Sequence, residues 1–208
     1  APVLDIARPT THRFLRNRCY GLSKSDVISL GRVAYYALKS NGIFPIIKHM
    51  PGHGLASHDS HFELPVVKAS KKELLANDFA VFRTFCDAEI AMSAHVLFES
   101  IDPYSPASTS KKLMDIIRNE IKFSGLLISD DISMAALPGD IKKRTKNLIE
   151  AGNDVILHCN GKLFEMKEII YSGVVPNTLA LSRMASVIEE RKKIKHNNVK
   201  NVESSQSS

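Results

Sequence analysis

The sequence predicts an α/β protein built around a parallel β-sheet, and two observations support this prediction. Five short runs are almost continuously apolar, as expected for strands covered on both faces: residues 3–6, 44–48, 90–96, 125–129 and 154–158. Between them lie segments whose apolar residues recur at helical spacing. Because parallel strands need a long crossover, which a helix supplies, this alternation of strands and helices indicates parallel pairing.

The helices between these strands have recognisable ends. Apolar residues from Val27 to Leu38 define the first helix, and Gly42 stands where a left-handed C-terminal cap is needed. Ser70 and Glu73 form a capping box before the next apolar pattern, which reaches Phe82. Further helices are predicted after Ser110 and over residues 141–151, 163–171 and 179–194.

The length leaves two architectures open. A complete eight-unit barrel takes roughly 250 residues, and this chain has 208. The sheet is therefore either open or part of a barrel that lacks its first units. The chain has no initiator Met and begins on an apolar run, so we expect a segment to precede it. We expect one domain over residues 1–196, and a disordered polar tail over residues 197–208.

Composition narrows the function classes. The net charge of +6 is concentrated in the last stretch, which is either a solvated tail or a nucleic-acid arm. No aromatic stacking platform accompanies it, so we expect no nucleic-acid partner. The three cysteines have neither disulfide-framework nor zinc-knuckle spacing, which favours a cytoplasmic protein. No run is long and apolar enough to predict a membrane span.

Polar residues stand at the carboxyl end of every predicted strand. They are Asp5, then Lys48 and His49, then His95, then Asp130 and Asp131, and finally His158 and Asn160. Active sites of parallel α/β proteins form at this end of the sheet, although strand-to-helix turns and N-caps also use such residues. The pattern therefore predicts a polar site at one end of the fold.

The loop after His49 contains several groups that can transfer protons or bind metals. Asp59 and His61 are close enough for the carboxylate to accept a hydrogen bond from the imidazole ring, which suits a proton-transferring histidine. Turn capping is the alternative explanation of this pair. A metal site including His53 and His58 is a further alternative, but the spacing matches no helical histidine pair.

The strand over residues 125–129 leads directly to Asp130 and Asp131. A carboxylate at the mouth of such a fold can attack an electrophilic carbon, hold a metal, or cap the next helix. The residues themselves leave these three roles open.

Four segments resemble a known family. KHMPGHG followed by DSH and LP, within residues 48–65, closely resembles the KH(F/M)PGHG…DSH…LP signature of glycoside hydrolase family 3, in its NagZ-type β-N-acetylglucosaminidase branch. GLLISDDISM resembles the nucleophile strand of that family, APVLDI the strand that opens the second half of its barrel, and MSAHVLF the strand that follows. The segments occur in family order, up to about residue 160.

The resemblance implies a (β/α)8 TIM barrel of which this chain is the second half. It would then be a C-terminal portion, with about five βα units (strands four to eight) and without the first units. The family cleaves terminal β-linked N-acetylglucosamine with retention, through a covalent glycosyl-enzyme. The implied substrate is GlcNAc-1,6-anhydroMurNAc or its peptides in peptidoglycan recycling, or a chitobiose-like β-GlcNAc saccharide.

The resemblance also implies roles for six residues. Asp130 would be the nucleophile, His61 the general acid/base and Asp59 its partner. Arg18, Lys48 and His49 would bind sugar hydroxyls. No metal and no cofactor are expected. A histidine acid avoids placing a second negative charge beside the nucleophile, whose pKa would otherwise rise.

Departures from the family pattern keep alternatives open. Asn17 stands where the family usually has an acid, and Cys19 replaces a serine. A half barrel exposes strand edges, so we expect the chain to be unstable or to associate with a missing N-terminal half. The alternatives are a truncated inactive fragment or pseudoenzyme, and a β-N-acetylglucosaminide phosphorylase.

Overall fold

The computed structural model describes residues 1–205, and the side-chain surroundings of residues 1–193. In chain order the elements are α1 (Arg13–Arg16), α2 (Lys24–Ser40), β1 (Ile47–Met50), β2 (Val66–Val67), α3 (Lys71–Ala76), α4 (Asp78–Arg83), β3 (Ile90–Ser93), β4 (Leu97–Phe98), α5 (Lys111–Asp115), β5 (Leu126–Asp131), α6 (Ile141–Ala151), β6 (Val155–Leu157), α7 (Leu163–Ile170) and α8 (Thr178–Ser205). A 3₁₀ turn, Ala107–Thr109, precedes α5, and a π-helical segment, Ile116–Glu120, follows it.

The main sheet is parallel throughout, which confirms the predicted α/β class. Its strand order is β1-β3-β5-β6, and Val3 forms a parallel bridge to Lys48 at the free side of β1. Five segments therefore lie side by side in the order in which the sequence predicts them. Within residues 1–205 the Val3 segment and β6 do not pair with each other, so these residues do not close a ring.

Some predicted boundaries are wrong. The second strand lies at Ile47–Met50, two or three residues later than predicted, and the first is reduced to the single bridge at Val3. The helix predicted after Ser70 is two helices, because Asn77 leaves helical geometry between α3 and α4. The parallel pair of β2 and β4 is unpredicted, since two residues give no periodicity.

Helix α2 shows how the sequence packs a helix on the sheet. Ser23 caps it by accepting a hydrogen bond from the backbone N–H of Asp26, at 3.2 Å. Its buried face includes Gly31, where a Cβ atom would lie 2.6 Å from Leu4. Gly31 therefore lets the helix approach the first strand segment closely. Gly42 has φ 76°, as the predicted left-handed cap requires.

Helix α8 extends to Ser205, beyond the end predicted at residue 194. The sequence after that point is polar but contains no Gly or Pro to interrupt a helix. Residues 206–208, the last of the predicted disordered tail, lie outside the described residues, and the tail stays a prediction. No helix within residues 1–205 is both long and apolar enough to cross a lipid bilayer.

One large apolar cluster lies between the sheet and helices α2 to α5, and a smaller one, with Ile132, Leu137 and Leu148, lies beside α6. The parallel strands direct their carboxyl ends to the same edge of the sheet. This edge therefore brings together the residues that end β1 and β5, which include His49 and Asp130.

Candidate active site

A cleft of about 240 Å³ opens at the carboxyl ends of the strands. Five of the six residues predicted for the site line it: Arg18, Lys48, His49, His61 and Asp130. The sixth, Asp59, does not line the cleft but is hydrogen-bonded to His61. The remaining lining residues are Phe14, His53, Ser60, Met92, Asp131, Met134, Leu157 and Cys159.

Asp130 lies at the end of β5, with 7% of its surface exposed. One carboxylate oxygen accepts a hydrogen bond from the backbone N–H of Asp131, at 2.8 Å. Burial acts to raise the pKa of Asp130, but nearby His49 and His95 and this hydrogen bond outweigh it and hold the pKa below its ordinary value. Asp130 is therefore an ionised carboxylate at the edge of the cleft near neutral pH.

The Asp131 carboxylate, unlike that of Asp130, is engaged in hydrogen bonds that hold the local structure. Its carboxylate accepts hydrogen bonds from the backbone N–H and hydroxyl of Ser133, and from the backbone N–H of Cys159, all within 3.1 Å. These contacts join the ends of β5 and β6. Because they occupy both oxygens of Asp131, Asp130 has the freer carboxylate for chemistry.

Asp59 and His61 form a hydrogen-bonded pair on the long loop after β1. Asp59 accepts from His61 Nδ1 at 2.7 Å and from its backbone N–H at 3.0 Å. Partial burial acts to raise the pKa of Asp59, but these two hydrogen bonds lower it overall. With Nδ1 directed to Asp59, Nε2 is the nitrogen of His61 that remains for proton transfer.

Three contacts seat this loop at the cleft. Backbone N–H groups of Ala135 and Ala136 donate to the carbonyl oxygens of His61 and Ser60, at 3.4 and 3.2 Å. The Phe14 ring lies edge-on to the His61 ring, with centroids 5.7 Å apart. Half of the His61 side chain remains exposed, so the ring is held but accessible.

Asp5 is buried and forms a second aspartate–histidine pair with His49. Its carboxylate accepts from His49 Nδ1 at 2.7 Å and from the backbone N–H of His53 at 2.6 Å. Burial acts to raise the pKa of Asp5, but the neighbouring His49 and its hydrogen bond are the main factors that lower it overall. This contact spans 44 residues of sequence, and no local spacing could have predicted it.

His53 is buried, and neither of its ring nitrogens has a hydrogen-bond partner among the described residues. Its ring lies edge-on to Phe14 and His49. Burial, reinforced by His49, lowers the pKa of His53 to about 4, so the ring is neutral near pH 7. Sequence reasoning considered His53 only as a metal ligand.

Lys48 and Arg18 both line the cleft. The backbone of Lys48 pairs with the first strand segment, donating to Pro2 and accepting from Leu4. Arg18 lies in the turn that follows α1. Of the two departures from the family pattern, Asn17 ends α1 at the surface, and the Cys19 thiol donates to the Leu15 carbonyl at 3.4 Å. Neither side chain lines the cleft.

The histidines of the long loop do not converge on a metal site. His58 lies outside the cleft, beside Ser57 and Glu63. In the part of the chain that the structure describes, no three His, Cys, Asp or Glu side chains are arranged to hold a metal ion. The two histidines of the cleft that contact a carboxylate do so in separate pairs, Asp5–His49 and Asp59–His61.

The fold and the cleft together define a parallel α/β protein with its polar site at the carboxyl ends of the strands. Residues 1–190 match the family model of the glycosyl hydrolase family 3 N terminal domain. The chain therefore belongs to glycosyl hydrolase family 3. The matched region belongs to the N-terminal domain of the family, so the expectation that the chain is a C-terminal portion of such a protein is wrong. The match does not show which part of the barrel within that domain the chain forms.

Sequence relatives agree with this assignment. The chain is 33% identical over 188 residues to a β-hexosaminidase of Vibrio cholerae serotype O1, covering 87% of this chain and 56% of the relative. It is 32% identical over 164 residues to the β-hexosaminidase of Alkalilimnicola ehrlichii, covering 77% and 47%. The chain spans about half the length of the curated relatives it matches.

Solved structures show the same fold. A family 3 β-N-acetylglucosaminidase from Paenibacillus sp. superposes with a TM-score of 0.86 at 27% identity, covering 92% of this chain and 39% of that one. NagZ from Neisseria gonorrhoeae, in complex with N-trifluoroacetyl-D-glucosamine, superposes with a TM-score of 0.78 at 31% identity, covering 89% and 54%. The parallel sheet thus matches the barrel-like N-terminal domain of the family.

Proposed function

We propose that this chain forms part of a retaining exo-β-N-acetylglucosaminidase. The observation that supports it best is the cleft itself, which combines an ionised, buried carboxylate with a carboxylate-bound histidine. Retaining glycoside hydrolysis needs a nucleophile and a proton donor on the same sugar. β-Hexosaminidases about 30% identical to the chain support the same sugar class.

In this proposal Asp130 attacks the anomeric carbon of the bound sugar while His61 Nε2–H protonates the departing glycosidic oxygen. A bond forms between the carbon and a carboxylate oxygen of Asp130 as the glycosidic bond breaks. A water molecule then attacks the same carbon, gives its proton to His61, and releases Asp130. Asp59 holds the His61 ring in both steps and stabilises the protonated ring that donates in the first step and forms again in the second.

Lys48, His49 and Arg18 bind sugar hydroxyls in this proposal, since all three line the cleft. The substrate we propose is a β-linked N-acetylglucosamine saccharide such as GlcNAc-1,6-anhydroMurNAc and its peptides, released during peptidoglycan recycling. The N. gonorrhoeae NagZ complex with an N-acetylglucosamine analogue supports this sugar. Three free cysteines favour a cytoplasmic location.

We further propose that the chain supplies barrel strands four to eight and that an N-terminal half barrel completes it. Apolar side chains are exposed on the two helices that flank the open edges of the sheet: Leu30, Val33 and Tyr36 on α2, and Leu163, Phe164 and Ile170 on α7. Preceding βα units would cover these surfaces. Their absence would leave an inactive fragment.

Covalent trapping tests the proposal directly. The chain, alone and joined to the preceding βα units of the V. cholerae relative, is incubated with an activated fluorosugar of N-acetylglucosamine and then digested for peptide mass spectrometry. We expect the sugar on the peptide that contains Asp130, and no label in Asp130→Asn. The control is Asp140→Asn, which changes an exposed helix cap.

Turnover of an aryl β-N-acetylglucosaminide should fall by more than about 10³-fold in Asp130→Asn and stay unchanged in Asp140→Asn. Label on another residue would refute the role of Asp130. Absence of turnover in both forms of the wild-type chain would identify a pseudoenzyme. Acceleration by added phosphate would favour the phosphorylase instead.

A further inference from the structure

Two histidines that line the cleft, His49 and His61, are each hydrogen-bonded to an aspartate, but the two pairs differ in their exposure to solvent. In each, a carboxylate oxygen lies 2.7 Å from Nδ1 of the histidine. The Asp59–His61 pair is on an exposed loop, whereas the Asp5 side chain is fully buried and His49 nearly so. Resemblance to the family gives the loop pair a role and leaves Asp5 without one.

Three donors surround the Asp5 carboxylate, two from His49 in β1 and one from His53 in the loop that follows β1. His49 Nδ1 and the backbone N–H of His49 approach Oδ2 at 2.7 and 3.3 Å, and the backbone N–H of His53 approaches Oδ1 at 2.6 Å. An ionised carboxylate can only accept, so Nδ1 of His49 must be the protonated nitrogen of this contact.

Because Nδ1 is bonded to Asp5, Nε2 is the ring nitrogen of His49 that remains available for another contact. Nε2 of His49 has no hydrogen-bond partner within residues 1–193. This nitrogen is not fully buried, and His49 lines the cleft. The His53 ring lies edge-on to the His49 ring, with centroids 5.6 Å apart. The free nitrogen therefore faces the space beside Asp130, where a sugar hydroxyl would bind.

We propose that Asp5 is a positioning residue for His49, holding the proton on Nδ1 so that Nε2 is presented to the cleft beside Asp130. It does not touch the reacting atoms and acts through the imidazole ring. The use of Nε2 as a sugar contact rests on the proposed function, but the Asp5–His49 bond and its effect on the ring do not.

Asp5→Asn is the informative variant, because it keeps the shape and replaces one acceptor with a donor. The backbone N–H of His53 cannot change its character, so the remaining amide oxygen should turn to it. The new NH₂ group then faces His49 Nδ1, which must become an acceptor. The proton of His49 should move to Nε2.

Long-range ¹H–¹⁵N correlation spectra of the full chain at pH 7.5 report which nitrogen of each histidine is protonated. We expect a protonated Nδ1 at His49 in the wild type and loss of that signature in Asp5→Asn. The matched control is Asp59→Asn, which should alter His61 and leave His49 as it is. If each variant alters only its own histidine, the effect comes from the specific hydrogen bond and not from a general loosening of the cleft.

Two results would overturn the proposal. One is a wild-type His49 protonated only at Nε2, which can be observed even if Asp5→Asn fails to fold. The other is a folded Asp5→Asn chain whose His49 keeps its Nδ1 proton. These measurements need neither substrate nor turnover. They therefore test the role of Asp5 independently of whether the proposed glycosidase activity is found.

Discussion

At the scale of single residues, the histidines of the cleft differ in their exposure to solvent and in their hydrogen bonds. His61 is half exposed and hydrogen-bonded to Asp59, while His53 is buried and neither of its ring nitrogens has a partner among residues 1–193. A buried polar group without a partner is costly. Burial therefore keeps the His53 ring neutral. His61 and His53 are tested by separate experiments.

His61→Gln should slow cleavage according to the leaving group. Positioned proton transfer contributes about 10²–10⁴-fold, and a departing alkoxide needs that proton while an activated phenolate does not. We expect a loss of this size for a disaccharide and a much smaller loss for a nitrophenyl glycoside. The control is His58→Gln, three residues away and outside the cleft. Equal losses on both substrates would contradict the acid role.

His53→Gln should make the folded chain less sensitive to mild acid. The pKa of His53 is lowered from 6.5 to about 4, so the unfolded chain binds this proton first as the pH falls. The stability from a neutral His53 is complete above pH 6.5 and is lost towards pH 4, by about 3 kcal/mol. Urea unfolding between pH 4 and 7 should therefore be flatter in the variant.

His58→Gln again serves as the control, since this side chain is exposed. Its unfolding should depend on pH as in the wild type. Some slope should remain in His53→Gln, because burial also lowers the pKa of His95. An unchanged slope in His53→Gln would show that the His53 ring is solvated in the native protein.

At the scale of elements, a buried polar network holds the strand that contains Asp130. The Ser93 hydroxyl donates to Asn153, whose amide donates to the Ser108 carbonyl, each at 2.7 Å. His95 lies 2.7 Å from the Ser108 hydroxyl and donates from Nε2 to the Asp131 carbonyl at 3.1 Å. The network thus links β3, the 3₁₀ turn and the end of β5.

Asn153→Ala should destabilise the fold strongly. It leaves the Ser93 hydroxyl and the Ser108 carbonyl buried without partners, and each orphaned group costs about 1–3 kcal/mol. We expect a loss of about 3 kcal/mol in the free energy of unfolding, measured with urea. Asn119→Ala, at an exposed site in the π-helical segment, should change it by less than about 0.5 kcal/mol. Similar losses in both would show that the network is not a structural unit.

Sequence patterns predicted the elements better than the contacts between them. Near-continuous apolar runs located all five parallel segments, and the cap at Ser70 appears as predicted, because both signals are local. The six site residues were chosen by resemblance to a family, and the structure brings five of them into one cleft. Asp5 was recognised only as a strand end, because its partner lies 44 residues away.

At the scale of the whole molecule, the Asp154 carboxylate links several elements at the end of the sheet opposite the cleft. Asp154, just before β6, accepts from the backbone N–H of Leu127 in β5 and from Arg118 and Arg183, all at 2.8 Å. Arg118 lies in the π-helical segment and Arg183 in α8. Four elements therefore meet at a side chain that is 2% exposed.

Asp154→Asn should weaken this junction without touching the cleft. The substitution leaves two guanidinium groups, each about one-fifth to one-quarter exposed, facing a neutral amide. Breaking a fully buried ion pair costs about 3–5 kcal/mol, and partial solvation of both arginines reduces this to about 2–4 kcal/mol. Hydrogen exchange should show α8 opening before the sheet, because Arg183 is its polar contact there.

Glu189→Gln is the matched control, since it removes a carboxylate from a fully exposed pair with Lys192 on the same helix. Solvent and salt screen that pair, so unfolding and exchange should match the wild type. Uniform acceleration of exchange in Asp154→Asn, with α8 no faster than the strands, would contradict the junction. The aspartate would then stabilise the fold only by satisfying Leu127, and the arginines would contribute nothing to holding α8 on the sheet.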